Sequence, residues 1–492
     1  MSYWGDQLKT WAHDRPRRPA LIDSHSSLQW NEINQMSATI SSALGLAGIT
    51  SGGSVIATVP RSVQAAALII SCLRSSIAGV TIERSSFQSR LPSIIKTSCF
   101  DAVIFLQQQA DEIKKALGPQ ATEKYREFSL PFGLMGLGLK AERARRVAGW
   151  YLQTSGSTRE PLTAALSEND LIKRAIGERR DFNIKPDFHI LNVLSFAHDL
   201  GLNQLLCAIA SGTTLTIHTN PFSNKLADLL QERPFEGITG TPVIWSEYLK
   251  LTPKPVRGLQ FLTVSGGSLP VVQLRKIASL FPDCALLKTY GQTETFRSLM
   301  CRNPNIESLG EPIPDVTLRI VDSNGADCPT DETGELVHYG DGRMLEYLNA
   351  PTQSAQKAFD GGIRTGDLFR RDHDGQYVFC GRNDDMIKRW DQRLHLREIE
   401  LCALTHPAVE QAIAISKPAV AGDPRQNLVC LFVIAASGLH LDRKHLLRHC
   451  KEQLTPYKVP DDLCVLDKGI PYTVSRKIDR LALKALWESG LS

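Results

Sequence analysis

No Cys-x-x-Cys pair occurs in the 492 residues, and the 11 cysteines are scattered along the chain. That spacing argues against a zinc framework or a redox dithiol, and an odd, unclustered set fits reduced thiols used mostly as small core residues. An excess of one charge is missing too. The 56 lysines and arginines against 52 acidic residues leave +4, too little over this length to argue for nucleic acid. The basic run Lys140 to Arg146 reads as a solvated linker face. No apolar run approaches the ~20 residues of a membrane span; the longest, Val63 to Leu73, is far shorter. Met1-Ser2-Tyr3-Trp4-Gly5-Asp6 lacks the basic-then-apolar layout of an export leader, so a cytoplasmic protein with no membrane span is expected. Internal repeats and low-complexity tracts are also absent.

What is present is ordinary globular composition, 42% apolar and 22% charged, with length for about three domains. Short β-rich runs alternate with helix-length amphipathic stretches, which predicts an α/β fold with largely parallel sheets. Strands are expected at Ser54–Val59, Ala102–Phe105, His189–Leu194, Thr213–His218 and Leu259–Val264. Helices are expected at Gln64–Ser75, Leu202–Ala210 and Pro270–Leu280, the last with proline in its first turn. From Val316 the pattern turns antiparallel, with Val316–Val321 and Gly334–His338 around the turn-rich Asp322-Ser323-Asn324-Gly325. A boundary is placed near Asp384, followed by a small α/β domain with a helix at Arg397–Leu404, ending before His406-Pro407.

Four short segments carry chemistry in this order. Thr154-Ser155-Gly156-Ser157-Thr158 follows a strand and offers hydroxyls and backbone N–H groups to phosphate oxygens. Tyr290-Gly291-Gln292-Thr293-Glu294 brings an aromatic ring and a carboxylate, the kind of oxygen donor that Mg²⁺ prefers; alone, Glu294 reads equally as a carboxylate at a helix N-terminus. Arg364-Thr365-Gly366-Asp367-Leu368 brings a carboxylate whose two oxygens accept from both hydroxyls of a ribose. Val474-Ser475-Arg476-Lys477-Ile478-Asp479-Arg480 brings a lysine near the C-terminus.

With Ser265-Gly266-Gly267-Ser268, Gly334-Glu335-Leu336, the run Gly381 to Lys388 and Glu398-Ile399-Glu400, these segments resemble the ANL superfamily over nearly the whole chain. That superfamily comprises acyl- and aryl-CoA synthetases, adenylation domains of nonribosomal peptide synthetases, and luciferases. The resemblance implies a large N-terminal adenylation (AMP-binding) domain, 1–383, of parallel and mixed sheets flanked by helices, with a small β-barrel-like portion. It also implies a small mobile α+β C-terminal domain, 384–492, carrying the catalytic lysine. A carboxylate would attack the α-phosphorus of ATP to give acyl-AMP and pyrophosphate. A thiol of CoA or of carrier-protein phosphopantetheine would then displace AMP. Thr154, Ser155, Gly156, Ser157 and Thr158 would grip the β- and γ-phosphates. Tyr290 would stack on adenine beside Gly266 and Gly267, with Gly291, Gln292 and Thr293 also at the nucleotide. Glu294 would carry Mg²⁺, Asp367 and Arg382 the ribose, and Ser268 the substrate. Lys477 would bridge the substrate carboxylate and the α-phosphate, and Asp384 would be the hinge.

The chain departs from that pattern where Gly-x-Pro-Lys usually closes the phosphate loop and Arg159-Glu160-Pro161-Leu162 stands instead. Either Arg159 supplies the lost cation, since guanidinium binds phosphate well, or the enzyme tolerates the loss. Asp391 replaces a glycine after the hinge lysine, on the loop lining the family's thiol tunnel, and Arg476 replaces the glycine before Lys477.

In Ser195-Phe196-Ala197-His198-Asp199-Leu200-Gly201-Leu202, where the family builds its acid pocket, His198 and Gly201 fit the His-x-x-Gly gate of acyl-CoA ligases. Asp199 fits the aspartate that binds a substrate ammonium in amino-acid adenylation domains, and equally a His-Asp-x-Gly-Leu run of fatty acyl-AMP ligases. Gln292 leans toward acyl or aryl acids. An amino or small acyl acid is favoured over fatty or aryl acids, and a catalytically reduced nucleotide-binding homologue is the remaining reading. Because the sequence ends at Ser492, soon after the lysine motif, a free-standing acyl or peptidyl carrier protein, or CoA, is the expected acceptor. A specialised-metabolite pathway is the expected setting.

Overall fold

The computed structural model describes residues 2–83, 87–97, 100–118, 125–139, 149–154, 161–302, 308–420, 423, 425–436, 438–467, 469–472 and 478–490, with backbone alone at 87, 96, 97, 384 and 393. Ser155 to Glu160, the basic run Lys140 to Arg146, and Val474 to Lys477 with its lysine lie outside the described residues, as does the Asp384 side chain. The chain forms two compact units, Met1–Ile306 with Gly310–Leu318 and His338–Arg364, and Glu307–Leu309 with Arg319–Val337 and Thr365–Ser492.

Strands buried on both faces read as continuous apolar runs, and the first unit is built of them. Its nine-stranded sheet runs Glu311–Pro312, Phe296–Cys301, Ala285–Gln292, Phe261–Ser265, Gly237–Gly240, His189–Asn192, Thr214–Ile217, Pro19–Ile22, Ser27–Gln29. The strands from Ala285–Gln292 to Pro19–Ile22 are parallel. An eight-stranded sheet runs Glu346–Tyr347, Thr163–Ser167, Gly149–Gln153, Ala78–Thr81, Ser54–Ala57, Ala102–Leu106, Leu134–Gly138, Arg126–Ser129. Alternation along Ser54–Ala57 sends Val55 and Ala57 into one core and Ile56 into another. The first of these cores is shared by both sheets and by the helices Trp30–Leu46, Val63–Arg74 and Asp199–Ser211. This is why Val63–Arg74 is apolar on nearly every side: a helix between two sheets has little face left for water. The expected elements are present, with shifted ends. Pro270, for instance, is the N-cap of Val271–Leu280 rather than part of its first turn.

In the second unit, Val409–Pro418 and Asn427–Ala435 pair antiparallel, and Asp462–Val465 adds parallel. Alternation again serves two faces. Ala412, Ala414, Leu431 and Val433 pack with Ile399, Ala403 and Leu446, whereas Ile413, Ile415 and Phe432 pack with Leu483 and Trp487. Also within this unit, Tyr377–Arg382 pairs antiparallel with Asp367–Arg371. Among the described residues, no helix is long and apolar enough to cross a membrane.

Candidate active site

Ligands of open parallel sheets gather beyond the carboxyl ends of the strands, and the predicted residues of the first unit lie there. Phe261–Ser265 ends in Gly266, which has φ +79°, a left-handed conformation that disfavours side chains. A Cβ on Gly267 would come within 3.2 Å of Pro242. Ser265 lies in register with Thr289, and their hydroxyls are hydrogen-bonded. This places Tyr290 one residue beyond, half-buried, with Gln292 donating to its hydroxyl at 3.4 Å. At Gly291 any Cβ would lie 1.8 Å from the Phe296 carbonyl oxygen, so the bulge between Tyr290 and Gly291 requires glycine. The turn then buries Glu294, whose Oε1 accepts from the Tyr347 hydroxyl at 2.5 Å. Glu294 therefore sits between two strands and not at a helix N-terminus.

His198 is the N-cap residue of Asp199–Ser211, and Asp199 is that helix's first residue. The helix start folds back on the preceding loop, so that a Cβ on Gly201 would lie 2.0 Å from the Ser195 carbonyl oxygen. This accounts for the glycine of His-x-x-Gly. Leu200 reaches the Gly266 turn: a Cβ at Gly266 would meet its Cδ1 at 3.7 Å. His198 Nε2 lies 4.0 Å from Glu83 Oε1, and both side chains are about one-third exposed. Behind them Arg61 donates to the His218 carbonyl at 2.8 Å; burial pushes its guanidinium pKa down to about 10, against the pull of Glu83. Ser268 is exposed beside this turn. Among described residues no group of three His, Cys, Asp or Glu side chains forms a metal cage. A lone buried carboxylate nevertheless suits Mg²⁺, which is usually held by one or two carboxylates together with substrate phosphates.

Thr154 closes the neck of the predicted phosphate loop. Its N–H donates to Leu162 O at 2.8 Å, and Leu162 N–H donates to its hydroxyl at 3.1 Å. Thr154 and Leu162 thus extend the antiparallel pair Gly149–Gln153 and Thr163–Ser167. Leu162, where a lysine was expected, packs against the apolar core.

In the second unit Asp367 and Arg382 are direct cross-strand partners, with Arg382 Nε 3.7 Å from Asp367 Oδ1. Asp367 is buried and its N–H donates to Thr365 Oγ1 at 3.1 Å, while about half of the Arg382 side chain is exposed. Tyr472 and Ile478 form a bridge, and Asp479 N–H donates to Pro471 O at 2.9 Å. Arg480 is held by Asp385 at 3.4 Å, Glu400 at 3.6 Å and the Ala414 carbonyl at 2.8 Å. Asp385 neighbours the predicted hinge residue Asp384 in the short 3₁₀ turn Asn383–Asp385.

Sequence reasoning missed Tyr347 and Glu83. Neither lies in a run with a recognisable chemical signature; Tyr347 alternates like any edge-strand residue, and only its pairing exposes its role.

Comparison with known proteins identifies the class as adenylate-forming enzymes. Residues 8–348 match the family of AMP-binding enzymes and residues 398–477 the AMP-binding enzyme C-terminal domain. The chain belongs to that family, the ANL superfamily of AMP-forming ligases. It is 25% identical over 491 residues to the L-proline--[L-prolyl-carrier protein] ligase of Pseudomonas fluorescens, covering 95% of this chain and 96% of that one. It is 25% identical over 492 residues to tyrocidine synthase 3 of Brevibacillus parabrevis, covering 95% of this chain but only 7% of that much longer synthase. In fold it is similar to ATP-bound MatB from Rhodopseudomonas palustris, with TM-score 0.84 at 19% identity and all of both chains covered. It is likewise similar to o-succinylbenzoate CoA synthetase from Bacillus subtilis, with TM-score 0.79 at 19% identity and 98% of each chain covered.

Proposed function

We propose that this adenylating enzyme activates an amino or small acyl acid and transfers it to the phosphopantetheine thiol of a free-standing carrier protein. The observation that carries the first part is the meeting of Leu200 with the Gly266 turn, which sets the start of the acid-pocket helix beside the candidate adenine site. His198 lies 4.0 Å from Glu83, and Asp199 follows it in sequence. Carboxylates near His198 would suit a substrate ammonium. The match along 96% of a discrete carrier-protein ligase supports the acceptor.

In this reading Tyr290 stacks on adenine and the Thr154 loop, with Ser155, Gly156, Ser157, Thr158 and Arg159, holds the β- and γ-phosphates. Asp367 and Arg382 take the ribose hydroxyls. Glu294 is the residue that would hold Mg²⁺, which when bound neutralises phosphate charge. Lys477 places an ammonium where the carboxylate meets the α-phosphate, and a fixed cation there stabilises the charge concentrated in the transition state. Asp384 is the hinge between a domain of residues 1–383 and one of 384–492, its turn allowing the lysine to leave after the first half-reaction.

A second reading, an acyl-CoA synthetase for aryl or fatty acids, is favoured by Gln292 beside the Tyr290 hydroxyl and by the His198-x-x-Gly201 turn. Pyrophosphate exchange with amino, small acyl, aryl and fatty acids, followed by CoA or pantetheinylated carrier, separates the two. Exchange with amino or small acyl acids and transfer to the carrier supports the proposal. Exchange restricted to aryl or fatty acids with transfer to CoA supports the second, and no exchange with any acid overturns both.

A further inference from the structure

Glu294 and Tyr347 are 53 positions apart in sequence, and both side chains are more than nine-tenths buried. The Tyr347 phenol donates to Glu294 Oε1 at 2.5 Å. The contact is braced by backbone: Met344 N–H donates to the Glu294 carbonyl at 2.8 Å, and Tyr347 N–H donates to Ser354 Oγ at 2.8 Å. Glu346 and Tyr347 form the edge strand on Thr163–Ser167, Tyr347 opposite Ala164, with Leu345 and Leu348 bonding the Ala165 and Thr163 carbonyls at 2.8 Å each. Thr163 in turn pairs with Gln153, the residue before Thr154. One short strand therefore ties the arm of the phosphate-loop hairpin, in the eight-stranded sheet, to the acid in the turn of the nine-stranded sheet.

We propose that Tyr347 is a positioning residue. It fixes the Glu294 carboxylate by one oxygen, leaves Oε2 for a divalent cation arriving with the nucleotide, and sets that oxygen relative to the strands Gly149–Gln153 and Thr163–Ser167. The inference rests on the reading of Glu294 as the metal carboxylate. Holding the acid in place removes the rotamer freedom it would otherwise lose on binding, and partners that orient a ligating group change metal affinity by about 10–100-fold when removed.

The test measures ATP binding by calorimetry as a function of Mg²⁺, together with pyrophosphate exchange, in the unaltered chain, Tyr347→Phe, Glu294→Gln and the double variant. Tyr347→Phe is expected to raise the Mg²⁺ concentration for half-maximal ATP binding about 10–100-fold, to leave Mg²⁺-free binding of ATP unchanged, and to add nothing once Glu294 is already glutamine. An unchanged Mg²⁺ dependence, or effects that multiply in the double variant, overturns the proposal. If Glu294→Gln itself leaves the Mg²⁺ dependence intact, the reading of Glu294 fails first and the inference falls with it. Glu294→Asp, which withdraws the acid from the tyrosine while keeping its charge, is the second variant should Tyr347→Phe fold poorly. It is expected to shift the Mg²⁺ dependence in the same direction.

Discussion

Asp367 and Arg382 face each other across adjacent strands, the guanidinium Nε 3.7 Å from the carboxylate Oδ1. The register of one β-ladder thus presents an acceptor and a donor side by side, the pairing a ribose diol requires. Hydrogen bonds to a charged group are worth about 1.5–3 kcal/mol each. Asp367→Ala is therefore expected to raise the KM for ATP about 10²-fold or more in pyrophosphate exchange, and Arg382→Ala about tenfold. Equal KM values for the variants and the unaltered chain would remove the pair from the nucleotide site.

Trp390 and Asp391 form the two-residue turn between Met386–Arg389 and Gln392–His395, with φ +50° and +60°. Such hairpin turns normally carry glycine or asparagine. Asp391 tolerates the conformation through its short side chain and accepts from Gln426 at 3.1 Å. Relieving the backbone offsets the loss of that exposed bond, so Asp391→Gly is expected to change stability by less than about 1 kcal/mol, toward higher Tm. A marked fall in Tm would show that the aspartate side chain holds the turn.

Arg297 lies between two buried carboxylates, 2.8 Å from Asp181 and 3.5 Å from Glu178, above the ring of Phe182. Burial raises the Glu178 pKa, and Arg297 pulls it back. Asn203, on the helix that begins at Asp199, also donates to Glu178. Removing the cation leaves Asp181 with Arg180 and Glu178 with the Asn203 amide, and a buried acid that loses its charge partner costs about 3–5 kcal/mol. Arg297→Met is expected to lose that much in denaturant unfolding; a loss below about 1 kcal/mol would show that the acids take up protons at little cost.

His338 is fully buried, accepting at Nδ1 from Ser298 Oγ at 2.9 Å and donating from Nε2 to the Asp341 carbonyl at 3.1 Å. Burial, with Arg174 and Arg343 nearby, lowers its pKa from 6.5 to about 4. Above pH 6.5 the ring is neutral in folded and unfolded chains alike. Between 6.5 and 4 the unfolded chain takes up the proton and the folded one does not, so stability falls as pH falls, by about 3 kcal/mol in all. His338→Gln is expected to flatten the decline of Tm across that window. An identical slope would mean that other groups, such as His189 with its pKa also near 4, carry it.

Much of this architecture was legible because strand and helix periods differ and because parallel strands are apolar throughout. The glycines of Tyr290-Gly291 and His198-x-x-Gly201 were readable as motifs, and the structure supplies their reason: carbonyl oxygens at 1.8 and 2.0 Å from a hypothetical Cβ. Leu162 was legible as a departure but not as a core residue, since packing partners such as these come from other elements. Tyr347 and Glu83 were illegible for the same cause. Each is singled out by a contact distant in sequence, Tyr347 with Glu294 and Glu83 with His198, and local pattern carries no trace of it.

The central claim is that the ammonium of Lys477 drives transfer of AMP to a carboxylate, and the most direct measurement compares adenylate formation with nucleotide binding in Lys477→Ala. Pyrophosphate exchange is expected to fall about 10²–10³-fold, while ATP binding and Tm stay as in the unaltered chain. Adenylate formation at an undiminished rate would contradict the account.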